Sequence, residues 1–168
     1  MRSVYLRAPE PQDLNFLYEL ENDQKLWPIS LTKVPFSRTT LEAYLEQVSR
    51  DSIESVGQYR FIIADANHQA LGCADLYEYD PIHSRAGVGI VIQEEFRGKG
   101  IASLALEQLI TYVKNNLHLH QLYAQIGEQN LVSQQLFKSL SFEHTATLKS
   151  WRKTHQGFEN IQQHQLFL

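Results

Sequence analysis

The stretch Glu95-Phe96-Arg97-Gly98-Lys99-Gly100-Ile101-Ala102 decides how the middle of this chain folds. An apolar run over residues 88–92 precedes it and predicts a buried strand. From Ser103 to Lys114, apolar residues recur at helical spacing, which predicts a helix. Glycines let backbone N–H groups approach a ligand closely, and a helix start leaves such groups unpaired beside a positive dipole end. The stretch therefore predicts a site for a phosphate-bearing ligand, with an ordinary tight strand-to-helix turn as the alternative.

Two common phosphate motifs do not fit this stretch. The motif G-x-x-x-x-G-K-[ST] requires serine or threonine where the chain has Gly100, and G-x-G-x-x-G requires glycine where it has Ile92. Residues Arg97 to Ala102 instead read R-x-x-G-x-A. This sequence resembles the acyl-CoA pyrophosphate loop of the GNAT family of N-acetyltransferases.

Length and composition are those of a globular protein, and we predict one domain over residues 1–168. The formal net charge of −4 argues against a nucleic-acid-binding surface over the whole molecule. No apolar stretch reaches membrane-spanning length and the N-terminus lacks a signal-peptide core. We therefore expect a cytoplasmic protein with neither nucleic acid nor membrane as partner. The single cysteine, Cys73, lies in an apolar stretch and predicts a buried structural thiol.

Hydrophobic periodicity and turn residues predict an alternation of strands and helices. Strands are predicted at residues 4–7, 59–65, 70–79, 85–92 and 122–127, followed by a hairpin within residues 143–168 that turns at 155–157. Helices are predicted at residues 13–23, from Ser37 or Thr39 onward, at 103–114 and at 130–140. This order is also that of the GNAT family. The fold class is predicted to be α+β, with a mixed, mostly antiparallel central sheet flanked by about four helices.

A second local match supports the resemblance. The segment Asn130 to Phe142 resembles the family signature N-x-x-A-x-x-L-Y-x-x-x-G-F. Within the family, the region from Gly72 to Ala102 most resembles the branch of spermidine and ribosomal-protein N-acetyltransferases. The implied reaction transfers the acetyl group of acetyl-CoA, the co-substrate, to a primary amine of a small molecule, a polyamine or a protein N-terminus.

The resemblance also implies which residues bind acetyl-CoA. Backbone groups of the strand before the loop pair with the pantetheine arm, loop N–H groups hold the pyrophosphate, and the second signature adds further contacts. The predicted cofactor-binding residues are Ile90, Val91, Ile92, Arg97, Gly98, Lys99, Gly100, Ile101, Ala102, Ser103, Asn130, Ser133 and Phe137. For Arg97 and Lys99, a solvated surface charge is the equal alternative.

The residues for proton transfer depart from the family pattern. Phe137 replaces the tyrosine that usually serves as the acid, and Gln125 replaces a frequent Glu or His. In the spermidine enzymes an acidic residue follows the strand alanine where this chain has Gly87. We therefore predict catalytic residues among the polar side chains on or beside the central strands. They are Tyr77, Tyr79 and His83, with Glu78 and Tyr123 beside them.

Two other functions compete with acetyl transfer. One alternative is an acyl-CoA-binding sensor with little turnover, because positions 87, 125 and 137 lack the acids and bases of the family pattern. The other is an unrelated phosphate-binding module, which the glycine loop alone would suit. No metal site is predicted, since His118 and His120 lack accompanying carboxylates or cysteines. The acceptor amine, a peptide or a small molecule, is left open, and Leu14 to Ile53 with the terminal hairpin are expected to select it. The oligomeric state is open too, although the terminal strands could pair across a dimer.

Overall fold

The computed structural model describes residues 3–30 and 32–168. Within these residues, the strands are β1 (Val4–Arg7), β2 (Tyr59–Asp65), β3 (Ala70–Asp80), β4 (Arg85–Ile92), β5 (Gln121–Gly127), β6 (Glu143–Thr154) and β7 (Gly157–Phe167). The α-helices are α1 (Leu14–Glu21), α2 (Trp27–Ser30), α3 (Arg38–Val48), α4 (Ile53–Val56), α5 (Ile101–Tyr112) and α6 (Leu131–Ser139). Short 3-10 turns lie at Pro11–Asp13 and Glu94–Phe96, and a π-helical turn, Val113–Leu117, follows α5.

Across the described residues, one seven-stranded sheet runs in the order β1-β2-β3-β4-β5-β7-β6. All neighbouring strands are antiparallel except β4 and β5, which are parallel. Helices α1, α3, α5 and α6 have eight or more residues, while α2 and α4 have four each. The predicted α+β class and mostly antiparallel sheet are confirmed.

Helices cover both faces of the sheet. Because successive side chains of a strand point to opposite faces, Cys73 and Ala74 contribute to two separate apolar clusters. Cys73 packs with leucines of α1 and α3, whereas Ala74 packs with residues of α5 and α6. The predicted buried thiol is confirmed, since Cys73 has no exposed surface and burial raises its pKa far above the ordinary value. Each fully buried leucine in these clusters contributes about 1.5–3 kcal/mol.

Helix boundaries differ from prediction by about two residues. Helix α3 begins after Ser37, whose hydroxyl accepts a hydrogen bond from the Thr40 N–H at 3.1 Å. Helix α5 begins at Ile101 rather than Ser103, because Gly100 adopts a left-handed conformation and caps the helix. Asn130 caps α6, accepting from the Ser133 N–H at 3.1 Å. Among the described residues, none of the helices combines the length and the apolar character that crossing a bilayer would require.

One buried histidine in β7 makes stability depend on pH. His164 is 4% exposed and lies opposite His144 of β6. Its Nε2 contacts Gln162 Oε1 at 3.1 Å, and its Nδ1 has no partner among the described residues. Burial, and secondarily the charge of His144, lower the pKa of His164 below its ordinary value. Protonation therefore favours the unfolded chain, and this stability is present above about pH 6.5 and lost as the pH falls below it.

We expect the free energy of unfolding to fall between pH 7 and pH 5, and the fall to be smaller in His164→Gln. Each unit by which folding lowers the histidine pKa accounts for about 1.4 kcal/mol at acidic pH. Urea unfolding at both pH values measures the effect. Equal pH dependence in the two proteins would remove His164 as its source.

Candidate active site

The two parallel central strands separate from each other halfway along the sheet. Strands β4 and β5 pair only from Arg85 to Gly87 and from Gln121 to Tyr123. Beyond this point β4 continues to Ile92 and β5 to Gly127 without pairing to each other. The predicted cofactor-binding residues Ile90, Val91 and Ile92 lie on the free part of β4. Their other edge pairs with β3, so this strand offers backbone donors and acceptors to a ligand within the gap.

The loop at the end of β4 presents a row of unpaired backbone donors. Gly98 and Gly100 have φ angles of 69° and 75°, a region that favours glycine. Helix α5 has no side-chain cap at its N-terminus. The six consecutive N–H groups of residues 98–103 donate to no acceptor in the described part of the chain. Such a row at a helix start is suited to a phosphate group. Ala102 and Ser103, in the first turn, are half-buried.

The basic side chains beside this loop have partners within it. The Arg97 Nε–H donates to the carbonyl of Ile92 at 2.8 Å and ties the loop to the end of β4. Lys99 Nζ donates to the carbonyl of Glu95 and lies 5.5 Å from the centre of the Phe96 ring. Both side chains are exposed enough to reach a ligand as well. Their role in binding stays a prediction.

Helix α6 follows the open end of β5. Its first residues are held there by Gln134, whose Nε2 donates to the carbonyls of Gly127 and Glu128 at 3.1 and 2.9 Å. Ser133, in the first turn, is half-buried. Phe137 is 3% exposed and packs edge-on against Phe142, with ring centres 5.0 Å apart. Phe137 thus belongs to the apolar core, and its predicted contact with the cofactor stays untested, like those of Asn130 and Ser133.

A cavity of about 860 Å³ opens on the sheet face that α1 and α3 cover. Its wall includes residues of α1, α3, the loop before α4, β2 and β3. Three carboxylates, those of Glu21, Asp51 and Asp75, lie in the wall with one guanidinium, that of Arg60. The cavity therefore carries an excess of negative charge. Residues of the region 14–53 line this cavity, whereas the wall includes no residue of the terminal hairpin among those described.

Arg60 holds two of these carboxylates in place. Its Nε and an Nη donate to the two oxygens of Asp75 at 2.7 and 2.8 Å, and another Nη donates to Glu21. Bidentate pairs of this kind fix the geometry of both partners. Sequence analysis did not single out these residues. The strands predicted at residues 59–65 and 70–79 were the available signal, because pairing them as a hairpin places Arg60 directly opposite Asp75.

Tyr77 connects the cavity with the gap between β4 and β5. Its ring lies on Gly87 and packs edge-on against Tyr123, with ring centres 5.9 Å apart. Gly87 and Tyr123 are the last residues that β4 and β5 pair. Tyr77 also lines the cavity. Burial raises the pKa of Tyr77 to about 12, although a hydrogen bond from the backbone N–H of Gln125 to its oxygen lowers the pKa in part. Its hydroxyl therefore keeps its proton at neutral pH.

The other two predicted catalytic residues lie elsewhere. Tyr79 is half-buried, packs against the apolar core, and its backbone N–H donates to the carbonyl of Gly57 at 2.8 Å. His83 is exposed in the turn between β3 and β4, where its N–H donates to Asp80 Oδ1 at 3.0 Å. Of the three, Tyr77 alone lines the cavity. In the described residues, no group of three or more His, Cys, Asp or Glu side chains is placed to hold a metal ion.

Comparison with known protein families matches residues 3–143 to the acetyltransferase (GNAT) domain. The chain belongs to the GNAT acetyltransferase family. It is an acetyl-CoA-dependent N-acetyltransferase, which confirms the co-substrate and the type of reaction predicted from the two motifs.

Relatives of this acetyltransferase agree with the predicted branch. It is 28% identical over 137 residues to the spermidine N(1)-acetyltransferase of Vibrio cholerae, covering 82% of this chain and 77% of the relative. It is 29% identical over 122 residues to a Bacillus subtilis protein named as a ribosomal N-acetyltransferase, YdaF, covering 70% and 66%. Among solved structures, the acetyltransferase resembles the Vibrio cholerae spermidine N-acetyltransferase in complex with CoA and spermine. The TM-score is 0.88 at 24% identity, covering 98% of this chain and 95% of the other.

Proposed function

We propose that this acetyltransferase acetylates small aliphatic polyamines and that they bind in the cavity lined by Glu21, Asp51 and Asp75. The excess of negative charge in that cavity is the observation that carries the proposal, because polyamines are multiply protonated at neutral pH. Relatives named as spermidine acetyltransferases support the same substrate class.

We propose that acetyl-CoA lies along the gap between β4 and β5. The N–H groups of residues 98–103 would hold its pyrophosphate, and backbone groups of Ile90 to Ile92 would pair with the pantetheine arm. Six unpaired donors and two glycines without a nearby obstacle support this position. Arg97, Lys99, Asn130, Ser133 and Phe137 remain proposed contacts of the same molecule.

The chemistry requires a free amine and a leaving thiolate. An alkyl ammonium has a pKa of about 10, so it must lose a proton before its nitrogen attacks the thioester carbonyl. We propose that Tyr77 serves as the donor on the thioester side, because its hydroxyl stays protonated and lies beside the gap. A thiol pKa of about 8.5 makes CoA a tolerable leaving group, which limits how much such a donor contributes.

The function is tested by measuring free-thiol release from acetyl-CoA. The panel comprises spermidine, spermine, putrescine, a monoamine, an amino acid and a short peptide, and CoA binding is measured separately. Polyamine-dependent release above that with the monoamine supports the proposal. Tight CoA binding without acceptor-dependent release would favour the sensor function, and release with the peptide alone would exclude polyamines as the substrate class.

Tyr77→Phe is expected to lower kcat about 100-fold, the lower end of the range for removing one oxyanion-hole donor, and to leave the Kd for CoA unchanged. The variant removes one hydrogen-bond donor and keeps the ring on Gly87. Steady-state kinetics and calorimetric CoA binding measure the two quantities. Tyr112→Phe, an exposed tyrosine on α5, is the matched control and should behave like the wild type. An unchanged kcat in Tyr77→Phe would contradict the donor role of this hydroxyl.

Three further predictions belong to the whole protein. We propose that residues 1–168 act as one domain and that the enzyme works in the cytoplasm. For assembly, β6 forms the edge of the sheet and offers a strand for pairing across a dimer. One structure of the Vibrio cholerae enzyme is described as dodecameric. Light scattering would distinguish a monomer from these assemblies.

A further inference from the structure

An unusual backbone angle in β3 brings Glu78 to the sheet face that carries Tyr77. Glu78 has a φ angle of 48°, which a non-glycine residue rarely adopts and which costs about 1–3 kcal/mol. The pairing of β3 with β4 is irregular at the same place, between Tyr77 and Asp80. Regular alternation would direct neighbouring side chains to opposite faces, but here both Tyr77 and Glu78 contact Tyr123.

Tyr123 occupies the point where the two central strands separate. It is 8% exposed and lies opposite Gly87 in the last paired position of β4 and β5. Its hydroxyl donates a hydrogen bond to the Glu78 carboxylate. Glu78 itself is exposed to solvent. The side chains of Tyr77, Tyr123 and Glu78 thus form a row of contacts from the cavity wall to solvent.

The two positions where the family resemblance would place a base, 87 and 125, have no basic side chain in this protein. Gly87 and Gln125 carry no group that takes up a proton at neutral pH. In the cavity wall, Glu21 and Asp75 are both bound by Arg60. The third carboxylate of the wall, Asp51, is exposed after α3, and among the described residues Tyr123 donates to Glu78 and not to Asp51. Glu78 is bonded to a neutral phenol instead, so its carboxylate is free of a guanidinium or ammonium partner within the described residues.

We propose that Glu78 receives the proton of the acceptor amine through the hydroxyl of Tyr123. This inference rests on the proposed amine acetylation. One N–H bond of the ammonium breaks as its proton passes to the Tyr123 oxygen, while the original Tyr123 proton passes to a Glu78 oxygen. The net transfer is one proton from nitrogen to carboxylate, which frees the lone pair that attacks the thioester. Water then removes the proton from exposed Glu78.

The titration behaviour of Tyr123 agrees with a relay through a neutral hydroxyl. Burial, followed by the hydrogen bond to Glu78, raises its pKa above the ordinary value. Tyr123 is therefore not a phenolate base at neutral pH. It holds a proton that can move only when another proton arrives, which is what such a relay requires.

Glu78→Gln tests the proposal, because the amide oxygen still accepts from Tyr123 while the basic group is lost. We expect kcat/KM for the acceptor to fall about 100-fold at pH 7, the lower end of the range for general acid–base catalysis. The deficit should shrink as the pH rises toward about 10, where the amine is deprotonated in solution. Tyr123→Phe should show the same pH-dependent deficit.

A second acceptor separates the loss of a base from a structural defect. A fluorinated analogue of the same amine, with a pKa below the assay pH, is already a free base when it binds. Its rate should therefore be nearly equal in wild type and Glu78→Gln. A deficit that is the same for both amines and at every pH would overturn the relay, as would a wild-type pH profile in Glu78→Gln.

Two controls make the result interpretable. Glu128→Gln removes another hydrogen-bonded carboxylate, bound to Asn160 at 3.0 Å, and should leave the pH profile unchanged. The Kd for CoA and the melting temperature show whether each variant is folded; if Glu78→Gln is not, Tyr123→Phe and the two-amine comparison provide the test. Absence of turnover in the wild type with any amine would contradict the proposed function, whereas normal turnover in both variants would contradict the relay alone.

Discussion

Gly100→Val is expected to raise the Kd for CoA about 10- to 100-fold. An added Cβ meets no atom within 4 Å, and the effect is expected from the backbone. A β-branched residue is strongly disfavoured at the φ of 75° that Gly100 adopts. The loop would relax by rotating and would misdirect at least one N–H group. A hydrogen bond to a charged group contributes about 1.5–3 kcal/mol, and each 1.4 kcal/mol is tenfold in Kd.

The pyrophosphate provides the internal control for this variant. Acetyl-pantetheine lacks that group, so its use as a substrate should be nearly the same in wild type and Gly100→Val. Gly57 has the same φ of 75°, also with no atom within 4 Å of an added Cβ, and it caps α4. Gly57→Val should therefore lose similar folding stability without raising the Kd for CoA. Two results would show that the loop is not the pyrophosphate site. One is an equal rise in the Kd for CoA in Gly57→Val and Gly100→Val. The other is an equal loss with CoA and with acetyl-pantetheine in Gly100→Val.

The strands and the helix caps were predictable because they depend on local sequence. β2 and β4 have the predicted bounds, and β3 and β5 differ by one residue. Asn130, the first residue of the helix predicted at 130–140, caps α6 because its side chain accepts a hydrogen bond from the backbone N–H three residues ahead. The start of α5 was placed two residues late, since apolar spacing does not reveal that Gly100 can cap a helix in a left-handed conformation.

The acceptor side of the site depends on contacts that local sequence does not encode. Glu21 and Asp75 meet at Arg60 only because α1 packs over β2 and β3. The turn of Glu78 toward Tyr123 results from a backbone irregularity with no glycine or proline to signal it. The proposed cofactor-binding residues are mostly contiguous in the sequence, so a motif can identify them. The proposed proton-transfer residues lie on different strands, and only the pairing of the sheet brings them together.

One departure from the family pattern has a steric explanation. By the resemblance described above, spermidine enzymes of this family have an acidic residue where this chain has Gly87. A Cβ added there would lie closer than 3.0 Å to three ring carbons of Tyr77, a separation that real side chains do not tolerate. In this chain the Tyr77 ring fills the space that a side chain at position 87 of β4 would take. The carboxylate then has to come from another strand, and Glu78 on β3 is the one that reaches Tyr123.

Gly87→Ala is accordingly expected to lower kcat/KM about 100-fold and the free energy of unfolding by about 1–3 kcal/mol. The methyl group would force the Tyr77 ring away from β4 and Tyr123, and overpacking of this size costs that much stability. A displacement of about 1 Å at a catalytic group is sufficient for a rate loss of this order. Thiol-release kinetics and urea unfolding measure the two effects.

Gly89→Ala is the matched control, two residues along the same face of β4. There an added Cβ would lie 3.9 Å from both Asp75 and Tyr77, which is ordinary contact. Its stability and its kcat should stay near the wild-type values. In the double variant Gly87→Ala/Tyr77→Leu, a smaller side chain makes room for the methyl group, so stability should recover while turnover stays low. Recovery of both stability and turnover would mean that the Tyr77 ring only packs on Gly87 and that its hydroxyl takes no part in catalysis.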